Sequence, residues 1–335
     1  MKPLQKTVAF SKAAVNVFFH ILTRCNLHCR HCYINPDQHG RSALPMEKIQ
    51  AWLNRFSDPD RKVNVIFLGG EPTLHPQLAE VIKSAKALGY HSVTVDTNGY
   101  LFHDILDKVT PDQVDYFSFS IDGATEKTND HLRGKGSYKA CTKGLLQAVE
   151  KGFAASVIYT VSSANLHELE KMPALLAQWG VKRFFIQVLG LRGAWDPEAE
   201  PLNRVSPKEW RAVVPQVAEK AVKLGITVTY PKVFLAPQEP FECAGRVAEN
   251  YFIFPNGRVY CCPLCEDYPI HAHMMEGDQL KAMPPINEKD LFQLSIPEGC
   301  VMNKLIQPEN ISYDADGIPA HKIACCLLKE EVGPR

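Results

Sequence analysis

The sequence predicts an α/β fold: a parallel sheet built from six βα repeats, followed by a small Cys-rich α+β extension that contains a β-hairpin. Three observations carry that expectation. Short apolar, β-branched runs alternate with amphipathic stretches from Val15 to Leu189, the pattern of strands covered on both faces by crossover helices. Composition shifts near Pro231, after which prolines multiply and the cysteines Cys243, Cys261, Cys262, Cys265, Cys300, Cys325 and Cys326 fall, seven of the chain's eleven. An Asn256-Gly257 pair between two aromatic-rich runs marks a hairpin. The expected units are residues 1–230 and 231–335.

Taken in order, Val15–Leu22 (VNVFFHIL) is an unbroken apolar run and reads as a buried strand. A polar loop with Gly and Pro covers Asn35 to Ser42, and Pro45 to Phe56 reads as a helix with Ile49, Trp52 and Leu53 on one face. Val63 to Leu68 is the second strand, Gln77 to Leu88 a helix, Ser92 to Thr97 a strand, and Tyr116 to Ile121 the fourth strand. Ser137 to Lys151 is helical, Ala155 to Val161 a strand, Leu166 to Gln178 a helix and Arg183 to Leu189 the sixth strand. Gly190 to Arg204 breaks the pattern as a loop over the mouth of the sheet that offers Arg192 and Trp195 to a substrate. Ser206, Pro207 and Glu209 have the order of N-cap, N1 and N3 and start a helix to about Leu224, before a further strand at Ile226 to Tyr230.

Bulk composition narrows the function classes. With 335 residues and 45% hydrophobic content the chain has ample material for a core. Lys+Arg and Asp+Glu balance at 37 each, so nothing predicts an electrostatic grip on nucleic acid or on an anionic membrane. The apolar runs are too short to span a bilayer. The N-terminus MKPLQKTVAF lacks a long apolar stretch of the secretory type. Clustered cysteines without an export signal point to metal ligands in a reducing cytoplasm rather than to disulfides.

The chemistry is concentrated in ILTRCNLHCRHCYINP, where Cys25, Cys29 and Cys32 follow the first strand within eight residues. Three thiolates there can hold one four-iron cluster and leave one iron open. With His28 or His31 as fourth ligand the same residues would instead make a closed zinc site. The second strand runs into Gly69-Gly70-Glu71-Pro72. Glycines let backbone come close to a neighbour, and a carboxylate beyond them accepts bonds from an ammonium group.

The spacing Cys-x3-Cys-x2-Cys, with a ring at His31 before the last cysteine, resembles the cluster loop of radical S-adenosylmethionine (SAM) enzymes. The Gly-Gly-Glu-Pro stretch at the end of the next strand is similar to that family's SAM-amine motif. The resemblance implies a partial (β/α)6 barrel, open on one side. It implies a [4Fe–4S] cluster on Cys25, Cys29 and Cys32 that cleaves SAM reductively to a 5′-deoxyadenosyl radical, which abstracts a hydrogen atom from the substrate. It also implies SAM contacts from Gly69, Gly70, Glu71, Pro72, Asn98, Ser120 and Asp122, a SAM-carboxylate partner in Arg133, and adenine contacts from Asn165 and Gln187 to Leu189. Cys141, inside an amphipathic helix, reads as a small core residue.

The spacing from Cys243 through Gly257 to Cys262 resembles the SPASM/twitch extension of the same enzymes, which holds an auxiliary [4Fe–4S] cluster. No second Cys-x2-Cys-x5-Cys-x3-Cys block is present, which favours one auxiliary cluster. Side-chain alternation would keep Cys261 and Cys262 off the same cluster. The resemblance selects Cys262, with Cys265 and one of Cys325 or Cys326. A zinc knuckle would use the same residues, and the competing reading of the whole chain is a non-enzymatic zinc-binding structural or regulatory protein. His271 and His273 read as loop histidines, and Asp314 to Gly317 as a turn. The implied partners are a small-molecule or peptide substrate and an electron donor such as flavodoxin or ferredoxin. The implied activity is that of an oxidoreductase, a transferase, or a peptide or cofactor maturase. About fourteen residues precede the first strand, which favours a small molecule or a peptide delivered by another protein.

Overall fold

The computed structural model describes residues 15–190, 192–193 and 204–334. Seven strands lie side by side in chain order: β1 (Val15–Leu22), β2 (Val63–Gly69), β3 (Ser92–Thr97), β4 (Tyr116–Ser120), β5 (Ala155–Val161), β6 (Arg183–Val188) and β7 (Thr227–Pro231). All six neighbouring pairs are parallel. Helices such as Met46–Phe56, Leu78–Ala87 and Ser137–Glu150 return the chain between strands and cover the outer face with Ile49, Trp52, Leu53, Val81, Ile82, Cys141 and Leu145. The strand runs are apolar throughout because both faces are buried: Val17, Phe19, Val65, Phe67, Val93, Val95, Phe117 and Phe119 are almost wholly excluded from solvent.

The C-terminal segment is built onto both edges of this sheet. After the two-residue β8 (Phe234–Leu235) comes a meander of β9 (Glu249–Ile253), β10 (Arg258–Tyr260), β11 (His273–Glu276) and β12 (Gln279–Ala282). Its first strand pairs parallel with β1. The short β13 (Lys322–Ile323) pairs with β8, and β14 (Lys329–Val332) pairs antiparallel with β7 at the opposite edge. One continuous sheet of twelve strands results, in the order β12-β11-β10-β9-β1 through β7-β14. Its ends are formed by the Cys-rich segment, so that segment closes over the open side of a partial barrel.

A buried polar ladder fixes the register at the N-terminal ends of the strands. Asn64 Nδ2 donates to Asn16 Oδ1 (2.9 Å), Asn16 Nδ2 to Asn250 Oδ1 (3.0 Å), and Ser92 Oγ to Asn64 Oδ1 (2.8 Å). These residues are direct partners across β9, β1, β2 and β3, so each amide is satisfied only in one alignment.

Most predicted boundaries hold to within a residue or two. The Ser206 cap is a full capping box with Glu209 at the head of a Pro207–Lys223 helix. The predicted 166–178 helix is two pieces, Leu166–Leu169 and Met172–Gln178, with Pro173 in the first turn of the second. Glu126–Arg133, for which no element is predicted, is a helix capped by the Thr125 hydroxyl. The Asn256-Gly257 hairpin forms, but β10 stops at Tyr260. Alternation therefore does not govern Cys261 and Cys262, and both border the same cavity. Asp314 closes its predicted turn by accepting from Asp316 and Ile318 backbone N–H groups. Trp195 lies outside the described residues.

Candidate functional site

The cysteine loop leaves β1 at the C-terminal edge of the sheet, and the end of β2 is stitched to it. Gly70 N donates to Leu22 O and Glu71 N to Arg24 O, each at 3.0 Å. A Cβ at Gly69 would sit 2.0 Å from Leu22 O, and one at Gly70 2.1 Å from Arg24 O. Gly69 has φ +138°, a conformation that side chains disfavour. The glycines are thus required by backbone packed on the cysteine loop itself.

Glu71 is fully buried. Its Oε1 accepts from Thr73 N (3.1 Å), Thr73 Oγ1 (2.6 Å) and Thr97 Oγ1 (2.8 Å), and its Oε2 from Asn98 N (2.7 Å). Burial raises its carboxyl above the usual range against these bonds. The carboxylate therefore ties the ends of β2 and β3 together while bordering the central cavity. Asn98 extends the brace, its Nδ2 donating to Asn26 Oδ1 at 2.8 Å and approaching Cys25 Sγ at 3.7 Å.

Asp122 corrects a sequence expectation. It is fully buried beneath the cavity wall rather than on it, and its Oδ2 lies 2.5 Å from Arg133 Nε and 3.1 Å from His31 Nε2. Its Oδ1 accepts from Thr160 N at 2.6 Å. Burial alone would raise this carboxyl, and the charges of Arg133 and His31 overcome it and hold it at about 2. Asp122 therefore positions Arg133 and His31 through its charge. Arg133 borders the cavity, with Nη1 3.9 Å from Cys29 Sγ. Asn165 is likewise buried and structural: its amide bonds Ser162 N, Asp122 O and Thr160 O.

Cys25, Cys29, Cys32, Gly69, Gly70, Glu71, Asn98, Ser120, Arg133 and Gln187 to Leu189 line one cavity of about 330 Å³. Pro72 is buried just behind it as the first residue of a 3-10 turn. Among the described residues no three His, Cys, Asp or Glu side chains converge on a single metal-ion position. Three cysteine thiols on the lining of one cavity are a donor set that suits an iron–sulfur cluster. Burial raises all three thiols, Cys25 to about 11, so metal binding here would release protons.

The far wall comes from the extension, which sequence reasoning did not resolve. Pro263, Leu264, Glu266, Cys326, Leu327 and Lys329 all face the cavity. Arg192 is clamped there by an ion pair with the buried Glu266 and lies over the Tyr33 ring at 4.8 Å. Tyr33 in turn bonds His20 Nε2 at 2.9 Å.

Behind this wall is a second cavity, lined by Cys243, Cys261, Cys262, Cys300, Cys325 and Cys326. The predicted ligand Cys265 does not border it; that residue is fully buried, with its free thiol beside that of Cys262. Cys300, which no spacing rule selected, takes a place on the wall because its N–H bonds Ile323 O (3.2 Å) beside the Cys325-Cys326 pair. Glu288, also missed, accepts from Cys261 N (2.7 Å), Cys262 N (3.0 Å) and Ala272 N (3.0 Å) and so fixes the cysteine turn. Pro263, Leu264, Cys326 and Leu327 border both cavities. His271 is buried without a bonded partner among the described residues, and His273 belongs to β11.

Residues 19–176 match the Radical SAM superfamily. The chain is 30% identical over 214 residues to the Fe-coproporphyrin III synthase of Methanosarcina barkeri, covering 62% of this chain and 52% of that protein. It is thus similar to about half the length of that relative. It is 24% identical over 290 residues to the mycofactocin maturase MftC of Mycobacterium ulcerans, covering 80% of this chain and 72% of that one. Among solved structures, Streptococcus suis SuiB bound to S-adenosylmethionine superposes with a TM-score of 0.64 at 13% identity, over 89% of this chain and 67% of that one. That likeness establishes the fold, a partial barrel of the radical SAM type.

Proposed function

Because residues 19–176 match the Radical SAM superfamily, we propose that the chain is an enzyme of that family that generates a substrate radical in the central cavity and uses a second cluster beside it. A [4Fe–4S] cluster with one open iron, together with SAM, supplies the one-electron cleavage that yields methionine and a 5′-deoxyadenosyl radical, which takes a hydrogen atom from the substrate. Cys25, Cys29 and Cys32 hold that cluster, and Asn98 and Arg133 place N–H groups near its sulfurs. Backbone at Gly69, Gly70 and Pro72, with Glu71 behind it, shapes the seat of the methionine amine. Arg133, oriented by Asp122, binds the carboxylate. Ser120 and Gln187 to Leu189 border the nucleoside end.

Cys243, Cys262 and Cys325, with Cys300 or Cys326, are the auxiliary ligands, and Cys265 supports Cys262. The cluster they hold would accept an electron from the substrate radical or hold the substrate. The observation that carries the reading is that the Cys25–Cys32 loop and the Gly69–Pro72 turn meet at one cavity whose opposite wall is shared with a second cysteine-lined cavity.

The substrate is a small molecule or a peptide, and the name of one sequence relative, an Fe-coproporphyrin III synthase, favours the former. Flavodoxin or ferredoxin would supply the electron. Among the described residues no helix is long and apolar enough to cross a membrane, and the cysteine usage fits a reducing cytoplasm.

The test is metal analysis of three reconstituted proteins. Replacing Cys25, Cys29 and Cys32 together by Ala should remove about four irons and all deoxyadenosine formation. Replacing Cys243 and Cys262 together by Ala should remove a different set of about four. Undiminished iron in the first variant would refute the cluster assignment.

A further inference from the structure

Among the described residues three carboxyl groups line the central cavity: Glu71, Glu266 and Asp96. Glu71 accepts its four protein bonds, and Glu266 holds Arg192. Asp96 belongs to neither brace. It stands at the head of a buried polar row that the chemistry described above leaves unused.

The row follows the register of the sheet. Asp96 of β3 pairs with Ser118 of β4, Ser118 with Ser156 of β5, and Ser156 with Arg183 of β6. Ser120, Ile158 and Thr160, further along the same faces of β4 and β5, line the cavity. The row therefore lies on the interior face of the barrel, below the cavity. Arg183 closes it: Nη2 donates to Thr229 Oγ1 at 3.2 Å and pairs with Glu331 of β14, whose side chain is 51% exposed. The pair carries no net charge, so the row ends at the surface without a cationic block.

Ser118 and Ser156 are almost wholly excluded from solvent. Ser118 Oγ favours the charged form of Asp96 without reaching full hydrogen-bond geometry. Ser156 Oγ, Arg183 Nε and Thr94 Oγ1, the last on the same face of β3 as Asp96, have no hydrogen-bond partner among the described residues. Buried polar groups that protein does not satisfy are completed by ordered water. Neighbouring strands lie about 4.8 Å apart, a gap that one water bridges between two hydroxyls. Besides Ser118, the groups facing Asp96 are Lys329 from β14 and Glu71 from the end of β2, with Tyr33 of the cysteine loop in electrostatic range. Burial outweighs Ser118 and Lys329 and raises the carboxyl to about 7, where a side chain both gains and loses a proton near neutral pH.

We propose that Asp96 is the group through which protons leave and enter the central cavity, and that the Ser118–Ser156–Arg183 row, with water, carries them to Glu331 at the surface. In the radical chemistry proposed above, this carboxylate serves an oxidation. The deoxyadenosyl radical takes one hydrogen atom from a substrate carbon. The resulting radical then gives one electron to the auxiliary cluster and one proton, from an N–H or O–H on that carbon, to Asp96. A C=N or C=O double bond forms, and the two hydrogens and two electrons lost by the substrate are all placed. That use rests on the radical SAM reading; the proton path itself does not.

The reconstituted protein would be followed by difference infrared spectroscopy on either side of neutral pH. A protonated-carboxyl band should titrate near neutrality in the wild type and be missing from Asp96→Asn. Ser118→Ala should shift its titration to higher pH. After a rapid pH jump the band should appear about tenfold more slowly in Ser156→Val, the rate equivalent of one lost hydrogen bond, and at close to the wild-type rate in Ser156→Thr. Iron content and thermal midpoint report whether each variant is folded, and Glu331→Gln, at the exposed end, should show the same slowing if Ser156→Val does not fold. The assignment is overturned if the band is absent from the wild type or survives in Asp96→Asn. The path is overturned if every folded row variant responds at the wild-type rate. Deoxyadenosine formation by the wild-type protein from SAM and dithionite tests the radical reading separately. If it occurs while the band is absent, only the proton path fails.

Discussion

Asp122 illustrates how a residue can sit in a functional motif and serve the fold. The family resemblance implies a SAM contact for it, yet its carboxylate faces Arg133, His31 and Thr160 N. Removing its charge leaves the Arg133 guanidinium buried beside Cys29 without a partner. Asp122→Asn should therefore destabilise the protein by about 3 kcal/mol, read as a lowered denaturant midpoint. Because its native pKa is depressed from 3.8 to about 2, this stabilisation is complete above the unfolded carboxyl's pKa and is lost as pH falls towards the native value. The gap between wild type and Asp122→Asn should be constant from pH 7 to 5 and close on acidification below about 4; a gap that widens there would contradict the pairing. Gly70 is the complementary case. Gly70→Ala places a methyl group 2.1 Å from a backbone oxygen that cannot move aside, so it should cost about 1–3 kcal/mol and lower iron retention at the first cluster. A variant with wild-type stability and iron would show that the turn tolerates a side chain.

At the scale of elements, legibility followed local signals. Strands β1 to β6 were readable because each is buried on both faces and so stays apolar, and the Asn256-Gly257 turn because its chemistry is local. Elements whose pattern is set by distant neighbours were not. The edge strand β14, with the sequence KEEV, reads as charged coil, and pairs with β7 only once the chain has returned to that edge. The β11–β12 hairpin is polar on its exposed side and escaped for the same reason. The cysteine loop and glycine turn were legible because they are contiguous. Cys300, Glu288 and Lys329 reach their sites from separate segments and carry no spacing signature.

The Asn16–Asn64–Asn250–Ser92 ladder is also invisible in sequence, since polar residues inside strands argue against burial. Asn16→Val would strand the amides of Asn64 and Asn250, and should cost about 2–3 kcal/mol. Unchanged stability would mean the ladder is incidental. Glu288 holds three backbone N–H groups of the extension. Glu288→Gln should halve reconstituted iron, leaving about four per chain, while deoxyadenosine formation in the absence of substrate persists. Full iron content would remove Glu288 from the auxiliary site.

At the scale of the molecule, the N-terminal barrel and the Cys-rich segment are parts of one sheet, joined at β1–β9 and β7–β14. The expected division near residue 230 marks a change of composition rather than a break in the sheet. This joining brings Pro263, Leu264, Cys326 and Leu327 to a wall common to two cysteine-lined cavities, and the account rests on that adjacency. Its most direct test is anaerobic reconstitution with iron and sulfide, followed by iron counting and assay of 5′-deoxyadenosine from SAM and dithionite. The account predicts about eight irons per chain with deoxyadenosine formed. Zinc in place of iron, with SAM left intact, would contradict it.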